Sequence, residues 1–133
     1  MDINKLNISK IETFLNGIID NVVSDNTFVG SKLPDKGAIP SEWKDMVLIE
    51  IANGIRDFDA MGRGTVLVYL YARPMESGKK NVAVFSKMEE ALNEIIKSSS
   101  NASYHLSRRL SFTGYDTNID WHFNVVEITI SVY

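Results

Sequence analysis

The sequence predicts a single α+β domain in which two helices pack on a mainly antiparallel sheet. Apolar residues follow a helical period near residues 10–23 and 82–97, and strand-like apolar runs lie between these segments and after the second one. The predicted element order is therefore α-β-β-α-β-β. A chain of 133 residues with no linker or low-complexity tract has the length of one domain, spanning residues 1–133.

The first segment has one apolar stripe, as expected of a helix that packs on a core. The residues of this stripe are Ile11, Phe14, Leu15, Ile18, Ile19, Val22 and Val23. Ser9 followed by Glu12 has the spacing of a capping box, which predicts a helix that begins near Lys10. Asp25 and Asn26 are predicted to end it.

The middle of the chain predicts an ordered loop and two strands. Glycines and prolines interrupt residues 27–41, the predicted loop. Met46 to Ala52 is almost continuously apolar, which is consistent with a strand buried on both faces, and a short buried helix is the alternative. Thr65 to Tyr71 has the β-branched and aromatic residues of a central strand. The polar segment from Arg56 to Gly64 follows an Asn-Gly turn dipeptide at 53–54, and we interpret it as the connection between these strands.

The last third predicts one helix and two strands. Val82 to Lys97 has a second apolar stripe, and Tyr104 to Phe112 alternates as a half-buried strand does. In the final run the apolar residues change from odd to even positions between Val125 and Val126. This phase change predicts a bulge or twist there, or else a strand covered on both faces. The predicted common core of helices and sheet contains Phe14, Ile18, Leu67, Tyr69, Phe85, Leu92 and Ile128.

No motif in the sequence predicts an enzyme. The absence of cysteine removes disulfides, thiolate zinc sites and cysteine nucleophiles. Gly62-Arg63-Gly64 precedes a strand, whereas a phosphate-binding loop leads into a helix. His105 and His122 lack a third metal ligand. We therefore expect no catalysis, no metal and no cofactor.

Charge gives no sign of a nucleic acid or membrane partner. The net charge is −3, from 14 basic and 17 acidic residues. Arg108 and Arg109 are adjacent, but neighbouring strand residues point to opposite faces, so we interpret them as salt-bridged or interface residues. The longest apolar stretches are too short to span a bilayer, and residues 1–10 contain no signal-peptide core.

Four segments, taken in order, resemble the tail terminator and minor tail component family of bacteriophages. They are VGSKLP at 29–34, VLVYLYAR at 66–73, FSKMEEALNEII at 85–96 and VVEITISVY at 125–133. They extend over most of the chain, which would make residues 1–133 one tail-terminator-like domain. Residues 41–45 depart from the family, in which proline leads directly into a strand after the first loop.

This resemblance implies a structural virion protein, a subunit of a homo-oligomeric ring at the head–tail junction. Six copies are favoured and twelve are possible. The implied partners are other tail or neck proteins, with DNA only passing through the lumen and no membrane contact. Assembly would take place in the host cytoplasm. The alternatives are a neck or adaptor ring of a short-tailed phage and a small cytosolic α+β protein-binding module.

If the chain is a ring subunit, the connection from Arg56 to Gly64 is the candidate interface. Arg56, Asp57, Asp59 and Arg63 give it charges of both signs between glycines, which suits a segment that orders on contact. Loops also carry function more often than the scaffold beneath them. We therefore predict that these four residues contact a neighbouring copy or another tail protein.

Overall fold

A computed structural model describes residues 8–30, 32–58, 61–100 and 104–133, with the backbone alone at 53–58 and 61–62. The elements are α1 (Ile8–Ile19), β1 (Thr27–Val29), a short 3-10 turn (Lys36–Ala38), β2 (Asp45–Phe58), β3 (Met61–Ala72), α2 (Val82–Ser98), β4 (Tyr104–Asp116) and β5 (Trp121–Val132). The predicted α+β class is confirmed. The predicted order differs by one additional strand, β1.

The five strands form one sheet in the order β1-β2-β3-β5-β4. β1 lies parallel to β2, from the pair Thr27–Val47 to the pair Val29–Ile49, and all other neighbours are antiparallel. β1 has only three residues and falls within the segment that the sequence predicts to be a loop. A strand of three residues is too short to show a period in the sequence. Its formation depends on pairing with β2.

Both helices cover one face of the sheet and form the main core with it. Even-numbered residues of β3 and β5 point toward the helices because strand side chains alternate between faces. The sheet and helix residues buried there include Val66, Val68, Leu70, Val126, Ile128, Ile130, Phe14, Leu15, Phe85, Met88 and Leu92. Ile18 is partly buried against the same cluster. Leu67 and Tyr69 were wrongly assigned to this core, because their odd positions place them on the opposite face.

The second face of the sheet is covered at one end by the chain between β1 and β2. A smaller cluster lies there, made of Met46, Leu48, Tyr71, Ile119 and Trp121, with Phe28, Leu33, Ile39 and Trp43 packed against it. Arg73 fastens this covering segment by donating hydrogen bonds to the backbone carbonyls of Trp43 (2.9 Å) and Pro40 (3.0 Å). The Arg73 guanidinium also lies 4.8 Å from the Trp121 ring centroid.

The phase change in the last strand reflects burial on both faces. Val125 and Val126 are both buried, one on each side of the sheet. β5 pairs with β3 without a register shift. The irregularity lies instead in β4, between Arg108 and Ser111. Of the two sequence-based alternatives, coverage of both faces is confirmed for this strand.

The first helix ends earlier than the sequence predicts. It ends at Ile19, and Asn21 has a positive φ of 63°, in the left-handed region that asparagine tolerates better than most residues. Val22 is consequently exposed rather than part of the stripe. Asp25 and Asn26 do not end the helix. Ser9 lies inside it, where its carbonyl accepts a 2.9 Å hydrogen bond from the Thr13 hydroxyl.

The predicted connection from Arg56 to Gly64 is mostly strand. Arg56 pairs with Arg63, and the two strands continue to Phe58 and Met61. The Asn-Gly dipeptide at 53–54 lies at a register shift inside β2 instead of forming a turn. A bulge accommodates extra residues in one strand, and glycine suits it as well as it suits a turn, so the local sequence did not distinguish the two.

Gly114 in β4 allows the close approach of the Phe123 ring. A Cβ at this position would lie 2.5 Å from Cζ of Phe123. We expect Gly114→Ala to lower the free energy of unfolding by about 1–3 kcal/mol, as overpacking does, measured by urea denaturation. Gly17→Ala is the control, because nothing lies within 4 Å and alanine should stabilise α1 by about 0.5–1 kcal/mol. Equal changes in both variants would contradict the prediction.

Candidate assembly surface

β4 forms one outer edge of the sheet. In the part of the chain that the structure describes, no strand pairs with this edge. The Leu106 N–H points to the edge and donates a 2.9 Å hydrogen bond to the Ser100 hydroxyl, which covers the first part of the strand. From Arg108 to Thr113 every residue is exposed. The edge is therefore open from Arg108 onward, and an open edge is a template for another strand.

Arg108 connects the irregular part of β4 to α2. Its guanidinium donates hydrogen bonds to Oδ1 of Asn93 (2.5 Å) and to the hydroxyl of Ser111 (3.2 and 2.7 Å), and it lies 3.9 Å from the Glu89 carboxylate. The salt-bridge interpretation of Arg108 is confirmed. These contacts span the register shift and hold it to the helix, while Arg109 is exposed within it.

Large apolar side chains are exposed along the open part of β4. Leu110 is 59% exposed, Phe112 is 48% exposed and Tyr115 is similar. Phe112 pairs with the buried Val125 on the second face of the sheet. Because soluble proteins normally protect or charge an edge strand, a row of exposed apolar residues on such an edge marks an interaction surface.

An aromatic cluster lies on the same face, between the covered end of the sheet and this edge. The Phe123 ring centroid lies 5.5 Å from that of Tyr71 and 6.1 Å from that of Tyr69. Tyr71 is buried, whereas Tyr69 and Phe123 are half-buried. The apolar surface therefore continues from the second cluster toward β4 and is not closed off at the edge.

The four interface residues predicted from sequence lie away from this part of β4. Arg56 and Asp57 belong to β2, and Arg63 is exposed in β3. Asp59 lies outside the described residues. Their end of the hairpin is next to the start of β4, because Gly62 pairs with the same β5 residue as the first residue of β4. The structure therefore does not bring them to the open, apolar part of that strand.

Sequence reasoning missed the exposed residues of β4. Leu110 and Phe112 alternate with polar neighbours, and this pattern predicts that they face the core. Alternation alone does not reveal that β4 is an edge strand or that its register shifts at residues 109–110. No local signal in the sequence identifies them as exposed.

A cavity of about 620 Å³ lies beneath the segment that covers the second face. Leu33 and Lys36 line one side of it, and Glu50, Tyr71 and Asp116 line the other. Lys36 forms an ion pair with Asp120 of the turn between β4 and β5. Hydrogen bonding and charge attraction in this pair raise the pKa of Lys36 and lower the pKa of Asp120. The ion pair thus fastens the covering segment over the cavity.

Burial raises the pKa of the Tyr71 phenol, and the nearby carboxylate of Asp116 raises it further. The phenol donates a 3.5 Å hydrogen bond to this carboxylate. Because the folded pKa exceeds the unfolded value of about 10, the contribution to stability is complete below that pH and is lost as the pH rises through the folded pKa. We expect the free energy of unfolding to fall above about pH 10, and less steeply in Tyr71→Phe, measured by urea denaturation across this range. Tyr133→Phe, which removes an exposed phenol, is the control; identical slopes in all three proteins would contradict the prediction.

The structure does not bring the candidate metal ligands together. His105 pairs with Ser131 near one end of β4, and His122 pairs with Tyr115 near the other. Over residues 8–30, 32–58, 61–100 and 104–133, no group of three or more histidine or acidic side chains has the arrangement of a metal site. Within the same ranges, neither helix is long and apolar enough to cross a membrane.

Comparison with known protein families and with characterised proteins found no match for this chain. The similarity to phage tail terminators therefore stays a prediction from the sequence pattern. The open edge of β4 is the structural feature from which a function can be argued.

Proposed function

We propose that this chain is a structural subunit of a bacteriophage head–tail junction and assembles with copies of itself into a closed ring. The observation that carries the proposal is the open outer edge of β4 with its exposed apolar residues. Leu110 and Phe112 are costly to leave in water, and the backbone groups beside them are available for pairing. In a subunit of an assembly, such an edge is covered by a neighbouring protein, so its exposed apolar residues are removed from water.

The rest of the sheet leaves few other surfaces for this role. The helix face is filled by α1 and α2, whose Leu15 and Leu92 are fully buried. One end of the second face is closed by the covering segment that Arg73 fastens. Among the described residues, β4 is the strand that exposes several large apolar side chains within a short stretch, Leu110, Phe112 and Tyr115, which favours association through this side of the sheet.

The resemblance to tail terminators suggests what assembles. It favours a ring of six copies, with twelve possible, between other tail or neck proteins. DNA would pass through the lumen without binding, and the net charge of −3 is compatible with this because it does not attract a polyanion. In this proposal the protein is part of the virion and contributes surfaces rather than chemistry.

The mass of the protein in solution and negative-stain images of the same sample test the proposal. We expect particles whose mass is a multiple of the 15.0 kDa chain and whose images show a ring with a central opening. Mass spectrometry of purified phage particles should detect the chain in the virion. A protein that stays monomeric at all concentrations, and is absent from particles, would contradict the proposal and favour a small protein-binding module.

A further inference from the structure

We propose that β4 of one copy pairs with the outer edge of β2 in the next copy, so that neighbouring sheets join head to tail. This inference rests on the proposed ring and identifies the surfaces that build it. The partner at the β4 edge is a second copy of the chain. Each copy has its second open edge, that of β2, on the side of its sheet opposite β4.

The outer edge of β2 is open over half of its length. β1 covers it only from Val47 to Ile49. The Val47 N–H donates to the Asn26 carbonyl, and the Gly30 N–H donates to the Ile49 carbonyl, so these two residues of β2 point outward. Gly30 has a φ of 59°, and the β1 pairing goes no further. Beyond Ile49, no strand of the described segments pairs with the outer edge of β2.

The strand directions allow this edge to meet β4 of another copy. β2, β3, β5 and β4 are neighbours in that order, and each runs antiparallel to the one before. Three reversals leave β4 antiparallel to β2. A second copy in the same orientation therefore presents its β2 antiparallel to the free β4, which continues the alternation across the junction. The second copy is also shifted along the strands, because an unshifted neighbour would place Phe112 beside Leu48, whose outer edge β1 already covers.

A junction of this kind repeats instead of terminating. It joins two different surfaces, so each copy keeps one unused edge for the next neighbour until the rotation closes a ring. Pairing of β4 with β4 about a two-fold axis would use the apolar edges of both copies and stop at a dimer. The presence of two different open edges on opposite sides of the sheet favours the repeating arrangement.

The stabilisation of this junction would come from apolar contact rather than from charge. Leu110 and Phe112 are exposed on β4 and would be removed from water by the neighbouring edge. Glu50, at the start of the open half of β2, faces the cavity beneath the covering segment and is not counted as a partner for β4.

Cysteine trapping tests this pairing, since the chain contains no cysteine of its own. Ala52→Cys marks the open half of β2, and Ser107→Cys or Phe112→Cys marks β4. Ala52 and Ser107 lie in the same row of the sheet, through Thr65 and Thr129, and the Phe112 variant tests a pairing shifted along the strands. Under mild oxidation we expect one double variant to give covalent multimers up to the size of the ring, and thiol reduction to abolish them.

The single variants and the unmodified protein separate the possible outcomes. Each single cysteine variant should remain a monomer on a denaturing gel, because its neighbour presents no thiol at the junction. Covalent dimers from Ser107→Cys or Phe112→Cys alone would overturn the proposal in favour of two-fold pairing of β4. A double variant that forms rings before oxidation but does not cross-link would overturn this interface and leave the proposed function standing. Unmodified protein whose mass in solution is that of a monomer would contradict the proposed function itself.

Discussion

Leu92→Ala is expected to lower the free energy of unfolding by about 2–5 kcal/mol. Leu92 lies on α2, is 0% exposed, and belongs to the cluster in which both helices meet the sheet. Alanine removes the apolar contacts of the side chain and leaves a cavity that the rigid sheet beneath cannot fill. Urea denaturation followed by circular dichroism would measure the loss, with the slope of the transition expected to stay the same.

Leu67→Ala is the matched control, because it makes the same chemical change on the opposite face of the sheet. Leu67 is half-exposed, so its truncation creates no closed cavity and should cost clearly less stability than Leu92→Ala. Equal losses would mean that Leu67 is as deeply buried as Leu92 and that its assignment to the other face of the sheet is wrong. No loss in either variant would mean that α2 does not pack on the sheet.

Regular elements were predictable because their periods are long enough to read. α2 is predicted from Val82 to Lys97 and is observed from Val82 to Ser98. Its start has a capping residue, since the Asn81 side chain accepts a 3.4 Å hydrogen bond from the Val84 N–H. The β-branched and aromatic run of β3 was equally clear. The local sequence favours these elements strongly, and the packing of their apolar faces stabilises the same structure.

The errors occur where distant parts of the chain determine the local structure. β1 forms because it pairs with β2. The end of α1 is determined by the turn that connects it to β1. Leu67 and Tyr69 belong to a central strand that is apolar on both faces, and such a strand does not indicate which face meets the helices. These choices are made by tertiary packing, which no window of sequence contains.

The exposed residues of β4 show the same limit, whereas the predicted role of the Arg56–Gly64 segment stays a prediction. The sequence directs attention to charged residues between two strands, Arg56, Asp57, Asp59 and Arg63, because polar loops commonly carry function. The structure extends both strands through most of this segment and exposes Leu110 and Phe112 instead. Whether an alternating strand is central or at an edge depends on the order of strands in the sheet. That order fixed the exposure of β4, and with it the surface on which assembly is proposed.

Phe112→Lys is expected to prevent assembly while the subunit stays folded. Phe112 is 48% exposed, so the monomer loses little packing when lysine replaces it. In the assembled ring, however, the charge would have to be desolvated beside the edge of the next copy, and lysine on an edge strand is a common means by which proteins block strand pairing. Loss of a central aromatic anchor typically costs about 2 kcal/mol or more for each interface, roughly a thirtyfold weakening.

Val82→Lys is the matched control for this variant, because it introduces the same charge in place of an exposed apolar residue far from β4. Val82 is 65% exposed at the start of α2, and lysine there should leave both folding and assembly unchanged. Light scattering across a concentration series would give the assembly midpoint of each protein, and circular dichroism would show that each is folded. If Phe112→Lys assembled at the same concentration as the control, the open edge of β4 would lie outside the interface. If both variants failed to assemble, net charge rather than strand pairing would control association.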